Sequence, residues 1–157
     1  MHTKLVVIRI RGDLGVRKPV VDTMKMLRLY NKNYAVILDS TPSIVNMLIN
    51  AKDYITWGEL DKEALHLLLE KRARLPGNKQ VTDSYVKEKL KISLKEFSDK
   101  IFENKAKLSD LPGMRLFFRL KPPVKGFEKG GIKKPFAQGG VLGYRTNKVN
   151  DLLKRML

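Results

Sequence analysis

Apolar positions in residues 4–58 alternate between a period of two and a period near four. In KLVVIRIRG, residues 4–12, Val6, Ile8 and Ile10 interleave with Leu5, Val7, Arg9 and Arg11. That spacing predicts a strand with one buried face, the other turning basic toward its end. Glycine and proline punctuate GDLGVRKP, a loop, and VVDTMKMLRLY then places Val20, Thr23, Met24, Leu27 and Tyr30 at helical spacing. YAVILDS, residues 34–40, is short and rich in β-branched and apolar residues, so a second strand. A helix follows, with Ser40 or Thr41 as cap, Pro42 in its first turn and Ile44, Met47 and Leu48 as its stripe. YITWG, residues 54–58, is a third strand.

Helices this short are not stable alone and must lie on a common sheet. The predicted fold class is therefore α+β, a β-α-β-α-β core with its helices on one face of a small sheet. Val6, Ile8, Ile10, Met24, Leu27, Val36, Leu48 and Ile55 are its expected buried residues.

Beyond residue 58 the pattern turns helical. Residues 60–73 carry Leu60, Ala64, Leu67 and Leu68 on one stripe, with Asp61 as cap, and Thr82 caps the next helix. Ser93 and Glu96 have capping-box spacing ahead of Phe97, Ile101 and Phe102. Residues 114–120 read as a fourth strand. Val149, Leu152, Leu153 and Met156 share one face of a terminal helix, residues 147–157. The expected division is a core over 1–58 and an extension over 59–157. The extension comprises helices within 60–105, the strand, a basic loop over 121–145 and the last helix.

Charge changes this picture. Of 157 residues, 32 are Lys or Arg and 16 are Asp or Glu, a net of +16. Residues 3–57 hold nine basic and four acidic residues, 58–114 twelve and ten, and 115–157 eleven and two. The middle third thus resembles solvated amphipathic helices, while the two ends concentrate a field that selects for polyanions. Cysteine is absent, which excludes disulfides, thiolate metal sites and cysteine nucleophiles. The apolar runs are far too short for a membrane span, so the expectation is a soluble, cytoplasmic protein.

No catalytic constellation emerges. The chain has two histidines, His2 and His66, without metal-ligand spacing. GGIKKPFAQGGVLG lacks the Gly-Lys-Ser/Thr ending of a phosphate loop. A helix-turn-helix over 81–104 would present the charge-balanced surface of Lys95, Asp99, Lys100 and Glu103, unsuited to a groove. The reading is a non-enzyme with no cofactor, metal or small-molecule substrate.

Binding remains, and two loops carry it. In the first, Arg9, Arg11, Gly12, Arg17 and Lys18 combine charge with close backbone approach. In the second, residues 121–145 hold six glycines, three prolines, six basic residues and one acid. There Lys121, Lys125, Lys129, Lys133, Lys134 and Arg145 interleave with Phe127, Phe136 and Tyr144. Basic residues beside aromatics suit folded RNA with unpaired bases. Phe127 and Phe136 could equally anchor the loop to the core. With no apolar period, the loop is expected to be mobile alone and ordered by RNA. A free-standing RNA-binding or RNA-chaperone module is one form that such a binder takes.

IRGDLGVRKPV, LRLYN, DSTPSIVNMLINAKDYI followed by WG, and GGIKKPFAQGGVLGYR ending in KVNDLLKRML occur in this order. Together they resemble the universal large-subunit ribosomal protein family L thirty, in its long archaeal form, whose eukaryotic counterpart is L seven. The resemblance spans essentially the whole chain. It implies a ferredoxin-like core and a structural role on large-subunit ribosomal RNA. It maps RNA contact onto residues 11–18 and 121–145. It also implies neighbouring ribosomal proteins as partners and suggests 5S RNA, for which no residue here decides.

Overall fold

In the computed structural model, which describes residues 2–157, five strands form one sheet among the described residues. Its centre is β1 (Lys4–Arg9), β2 (Tyr34–Asp39) and β3 (Ile55–Glu59), with α1 (Lys18–Met26) and α2 (Pro42–Asn50) connecting them. Two-residue strands β4 (Phe118–Arg119) and β5 (Gly143–Tyr144) flank the centre, giving the order β4-β2-β1-β3-β5. β1 runs antiparallel to both β2 and β3, and β3 pairs in parallel with β5. This is the ferredoxin-like core with an added edge on each side.

The extension supplies α3 (Lys62–Arg72), α4 (Asp83–Leu90), α5 (Leu94–Phe102) and α6 (Val149–Met156). Local signals set several of these boundaries. Thr41 and Thr82 hydroxyls each accept a bond from the amide three residues on, at 3.3 Å, and Ser93 with Glu96 closes a capping box. Asp61 sits at the start of α3 but caps nothing with its side chain; instead its N–H donates to Asn150 Oδ1 at 3.0 Å.

All eight residues expected in the core are at most 3% exposed. Their distribution between layers differs from the one-faced expectation. Leu5 and Val7 pack beneath α1 and α2 with Met24, Leu27, Leu48 and Trp57. Val6, Ile8 and Ile10 point the other way, into a larger cluster with Leu65, Leu68, Phe97, Leu152 and Leu153. The sheet is covered on both faces because the extension folds back beneath it. The run LVVI is apolar at both parities, as a doubly buried strand requires.

Two further expectations are corrected. The stripe of α3 is Ala64, Leu65, Leu68 and Leu69, with Leu67 half-exposed, since α3 packs against both α5 and α6. The strand expected over 114–120 shortens to Phe118–Arg119. Upstream of it Arg115 N–H bonds Arg74 O, and Phe117 stacks on Tyr34 at 5.2 Å. On β3, Gly58 meets the tail backbone to backbone: a Cβ there would collide with the Thr146 carbonyl.

Candidate nucleic-acid interface

Strand register determines where the basic loops emerge. Arg9 lies opposite Ile55, Ile8 opposite Ala35, Ala35 opposite Phe118, and Thr56 opposite Gly143. The C-terminal ends of β1 and β4 therefore meet the N-terminal ends of β2, β3 and β5 at one end of the sheet. Residues 10–17 leave the sheet there, the chain from Lys121 leaves there, and residues 133–142 return there.

The first loop is built around Arg9. This side chain is 2% exposed, and its guanidinium donates to the carbonyls of Leu29 (2.8 Å), Tyr30 (3.0 Å) and Arg11 (2.9 Å) and pairs with Asp13. Arg9 consequently shapes the loop from within: it is buried and donates to four protein acceptors, which argues against the expected contact with RNA. Arg11 is half-buried, its guanidinium 5.1 Å from the Tyr54 ring and its Nη1 donating to Asp53 O at 3.3 Å. Gly12, Arg17 and Lys18 are exposed on the outer surface. Leu14 stands at the tip with its whole side chain in solvent.

The second loop has more structure than its composition suggests. Phe136 N–H donates to Leu142 O (2.8 Å), and Val141 N–H to Lys134 O (3.1 Å). Val141 and Leu142 are buried, and Phe127 packs against the larger core cluster. The expectation of a loop without a buried face is therefore overturned. Two adjacent apolar residues are too few to register as a period. Gly140 makes the turn feasible, since a Cβ there would overlap the Lys134 carbonyl.

Arg145 is the second buried residue among the candidates. It is 1% exposed and stands 2.8 Å from Glu128 Oε1, though its N–H bonds are not aimed squarely at that oxygen, so the contact is coulombic more than a directed hydrogen bond. Burial pulls its guanidinium below the ordinary arginine value, opposed by the attraction of Glu128. The Phe136 ring lies 4.6 Å from the Arg145 guanidinium and 5.5 Å from Lys148 Nζ, so both cations engage it from within the chain. Tyr144 is half-exposed, with its ring 6.3 Å from that of Trp57. Its hydroxyl donates to Glu59, and this bond, with burial, pushes its pKa up to about 12.

What is left for a partner is specific. Arg11, Arg17, Lys18, Lys121, Lys125, Lys129, Lys133 and Lys134 form no ion pair among the described residues. Residues 58–114 also hold unpaired cations, since only Lys62, Lys87, Lys89 and Lys105 of their twelve basic residues pair with an acid, but there ten acids lie among them. The two loops, by contrast, offer only Asp13 and Glu128, both engaged by buried arginines. The same end of the sheet adds Lys52, Asp53 and Tyr54 from the turn between α2 and β3, which sequence periodicity did not single out. Only their proximity to Arg11, visible in three dimensions, marks them.

Residues 5–55 match the family described as ribosomal protein L30p/L7e. Over 148 residues the chain is 48% identical to the large ribosomal subunit protein uL30 of Methanopyrus kandleri, covering 94% of this chain and 99% of that one. It is 46% identical to the protein of the same name from Methanococcus maripaludis, over 96% of this chain and 97% of that one. The uL30 of Nanoarchaeum equitans is 48% identical over the same shares. This chain belongs to the L30p/L7e family. The uL30 relatives share both the core and the extension, so the second basic loop lies within the aligned length. No helix among the described residues is long and apolar enough to cross a membrane.

Proposed function

We propose that this protein is a structural constituent of the large ribosomal subunit, holding folded ribosomal RNA at one end of its sheet. The observation that carries this reading is the convergence at that end of eight unpaired cations on two loops whose only acids, Asp13 and Glu128, are held by Arg9 and Arg145. Phosphates supply the missing counter-charges, and each neutralised phosphate releases a condensed counterion. The role is structural and not catalytic. The charge-balanced surface of the extension suits neighbouring ribosomal proteins. Its place is with ribosomes in the cytoplasm, and the family resemblance supports 5S RNA as a further contact.

Binding to large-subunit ribosomal RNA fragments, measured across roughly 50 to 200 mM salt, tests the reading. With half of the eight cations on phosphate, at ~0.7–0.9 each, the log–log slope is near −3. A flat slope overturns it. Crosslinking on intact ribosomes is expected to give RNA adducts at Lys18, Lys125 and Lys133, and adducts to 5S RNA would add that partner. Loss of the protein from subunits in a mild salt wash would favour a free-standing RNA-binding module.

A further inference from the structure

Between the turn joining α2 to β3 and the second basic loop lies a recess of about 170 Å³, lined by Lys52, Asp53, Lys133, Pro135, Leu142 and Gly143. One water needs only ~15 Å³, so the recess accommodates a ring system. We infer that it is a pocket for one unpaired RNA base, with Asp53 selecting guanine. The inference rests on the RNA-binding role proposed above.

Pro135 and Leu142 give the recess an apolar side that suits the flat face of a base. Pro135 and Leu142 are held as a bridge pair, with Phe136 N–H donating to Leu142 O, so this side is set by backbone bonds. The opposite side is braced as well. Ile10 and Arg11 N–H both donate to Tyr54 O (2.9 and 3.2 Å), and Arg11 Nη1 donates to Asp53 O while its guanidinium covers the Tyr54 ring. A preformed slot of this kind avoids ordering costs on binding.

Asp53 gives the recess its chemistry. It is an exposed carboxylate between Lys52 and Lys133, and it makes no ion pair and accepts no hydrogen bond among the described residues, so both its oxygens are open to a ligand. For phosphate binding alone this charge is a handicap. A carboxylate only accepts, and its two oxygens match two adjacent donors. Guanine presents such a pair, its N1–H and N2–H₂, on the Watson–Crick edge. Adenine and cytosine place an amino group beside an acceptor, and uracil places its N–H between two carbonyls. Lys52 and Lys133, one from each wall, are positioned for the phosphates on either side of the inserted nucleotide.

The test uses the full chain and three single-stranded pentanucleotides, oligouridines with guanosine, inosine or uridine at the centre. Wild-type protein is expected to bind the guanosine strand at least about fivefold tighter than the uridine strand, with inosine between, since one good bidentate pair discriminates by that much or more. Asp53→Asn, an exposed substitution, should abolish the preference without weakening the uridine strand. Lys133→Ala should weaken all three alike. Equal binding of guanosine and uridine strands by the wild type, or a preference that survives Asp53→Asn, overturns the pocket. Ribosomal RNA binding with its steep salt slope would then still stand, whereas its absence in the wild type would overturn the broader role instead.

Discussion

Arg145 and Glu128 form an ion pair across the base of the second basic loop, Nη2 to Oε1 at 2.8 Å, with the arginine inside the protein and the acid one-quarter exposed. Arg155 approaches the same oxygen at 3.6 Å, so one carboxylate sits between two guanidiniums. The only acid of residues 121–145 is thus a clasp that fixes the loop to α6. Replacing Arg145 with methionine leaves Glu128 with its weaker partner and opens the packing over Phe136. The expected loss is about 2–3 kcal/mol, below the usual range for broken buried pairs because Glu128 is partly hydrated and keeps Arg155. Urea denaturation measures it. An unchanged midpoint would return Arg145 to the RNA surface.

Hydrogen exchange on the RNA-free protein should divide the second loop. The amides of Phe136, Val141 and Leu142 donate to carbonyls within it and are expected to exchange slowly. Those of Lys129 and Lys133 lie on the exposed rim and should exchange fast until RNA is added. Uniformly fast exchange from 126 to 143 would mean that Val141 and Leu142 do not hold the loop down.

Tyr144 should confer an alkaline pH dependence on stability. Its folded pKa, about 12, lies above the ordinary tyrosine value of 10 because Glu59 accepts its proton in a hydrogen bond. Below pH 10 this contribution is fully present. Between about pH 10 and 12 the unfolded chain ionises while the folded one does not, and the contribution is lost. Tyr144→Phe should therefore narrow its stability gap to the wild type as pH rises through that window. A gap constant from about pH 8 to about pH 11.5, roughly two units below and one and a half above the unfolded pKa, would show that the bond to Glu59 does not hold.

Lys133 and Lys134 are exposed and free of ion pairs, so their charge is available to phosphate. Changing both to alanine is expected to reduce the log–log salt slope for ribosomal RNA by roughly 1 to 2 and to leave the melting temperature within a degree or two. A matching loss of stability would assign the lysines to the fold instead.

Much of the core was readable from spacing. The alternation around Val6 and Ile8, the hydroxyls at Thr41 and Thr82, and the pair Ser93–Glu96 are local signals, and local geometry obeys them. Which layer each face met was not readable, because Leu5 and Val7 are as apolar as Val6 and Ile8. Among the candidate site residues, the lysines are exposed while two of the arginines are buried. Lysine charge at Lys18, Lys125, Lys129, Lys133 and Lys134 stays at the surface, whereas the planar, multiply donating guanidiniums of Arg9 and Arg145 satisfy carbonyls and an acid inside the protein. The position of Asp53 beside Lys133 depends on parallel pairing between β3 and β5, and neither segment carries a mark of the other.

That pairing also has a consequence for how the chain comes into being. Thr56 donates to Gly143 O across 87 positions, and Val6 and Ile8 are roofed by Leu152 and Leu153 near the far end. On a growing chain, β1, β2 and β3 are translated well before their lower cover exists. For that interval Val6, Ile8, Ile10 and Ala35 face water on a nascent sheet, the kind of surface through which half-finished chains stick together. Closure must wait for contacts of high sequence separation, which slows it. Nine basic against four acidic residues already lie within the first 57, so incomplete copies repel one another during the delay. The charge that suits this protein to RNA is also its protection against its own unfinished siblings.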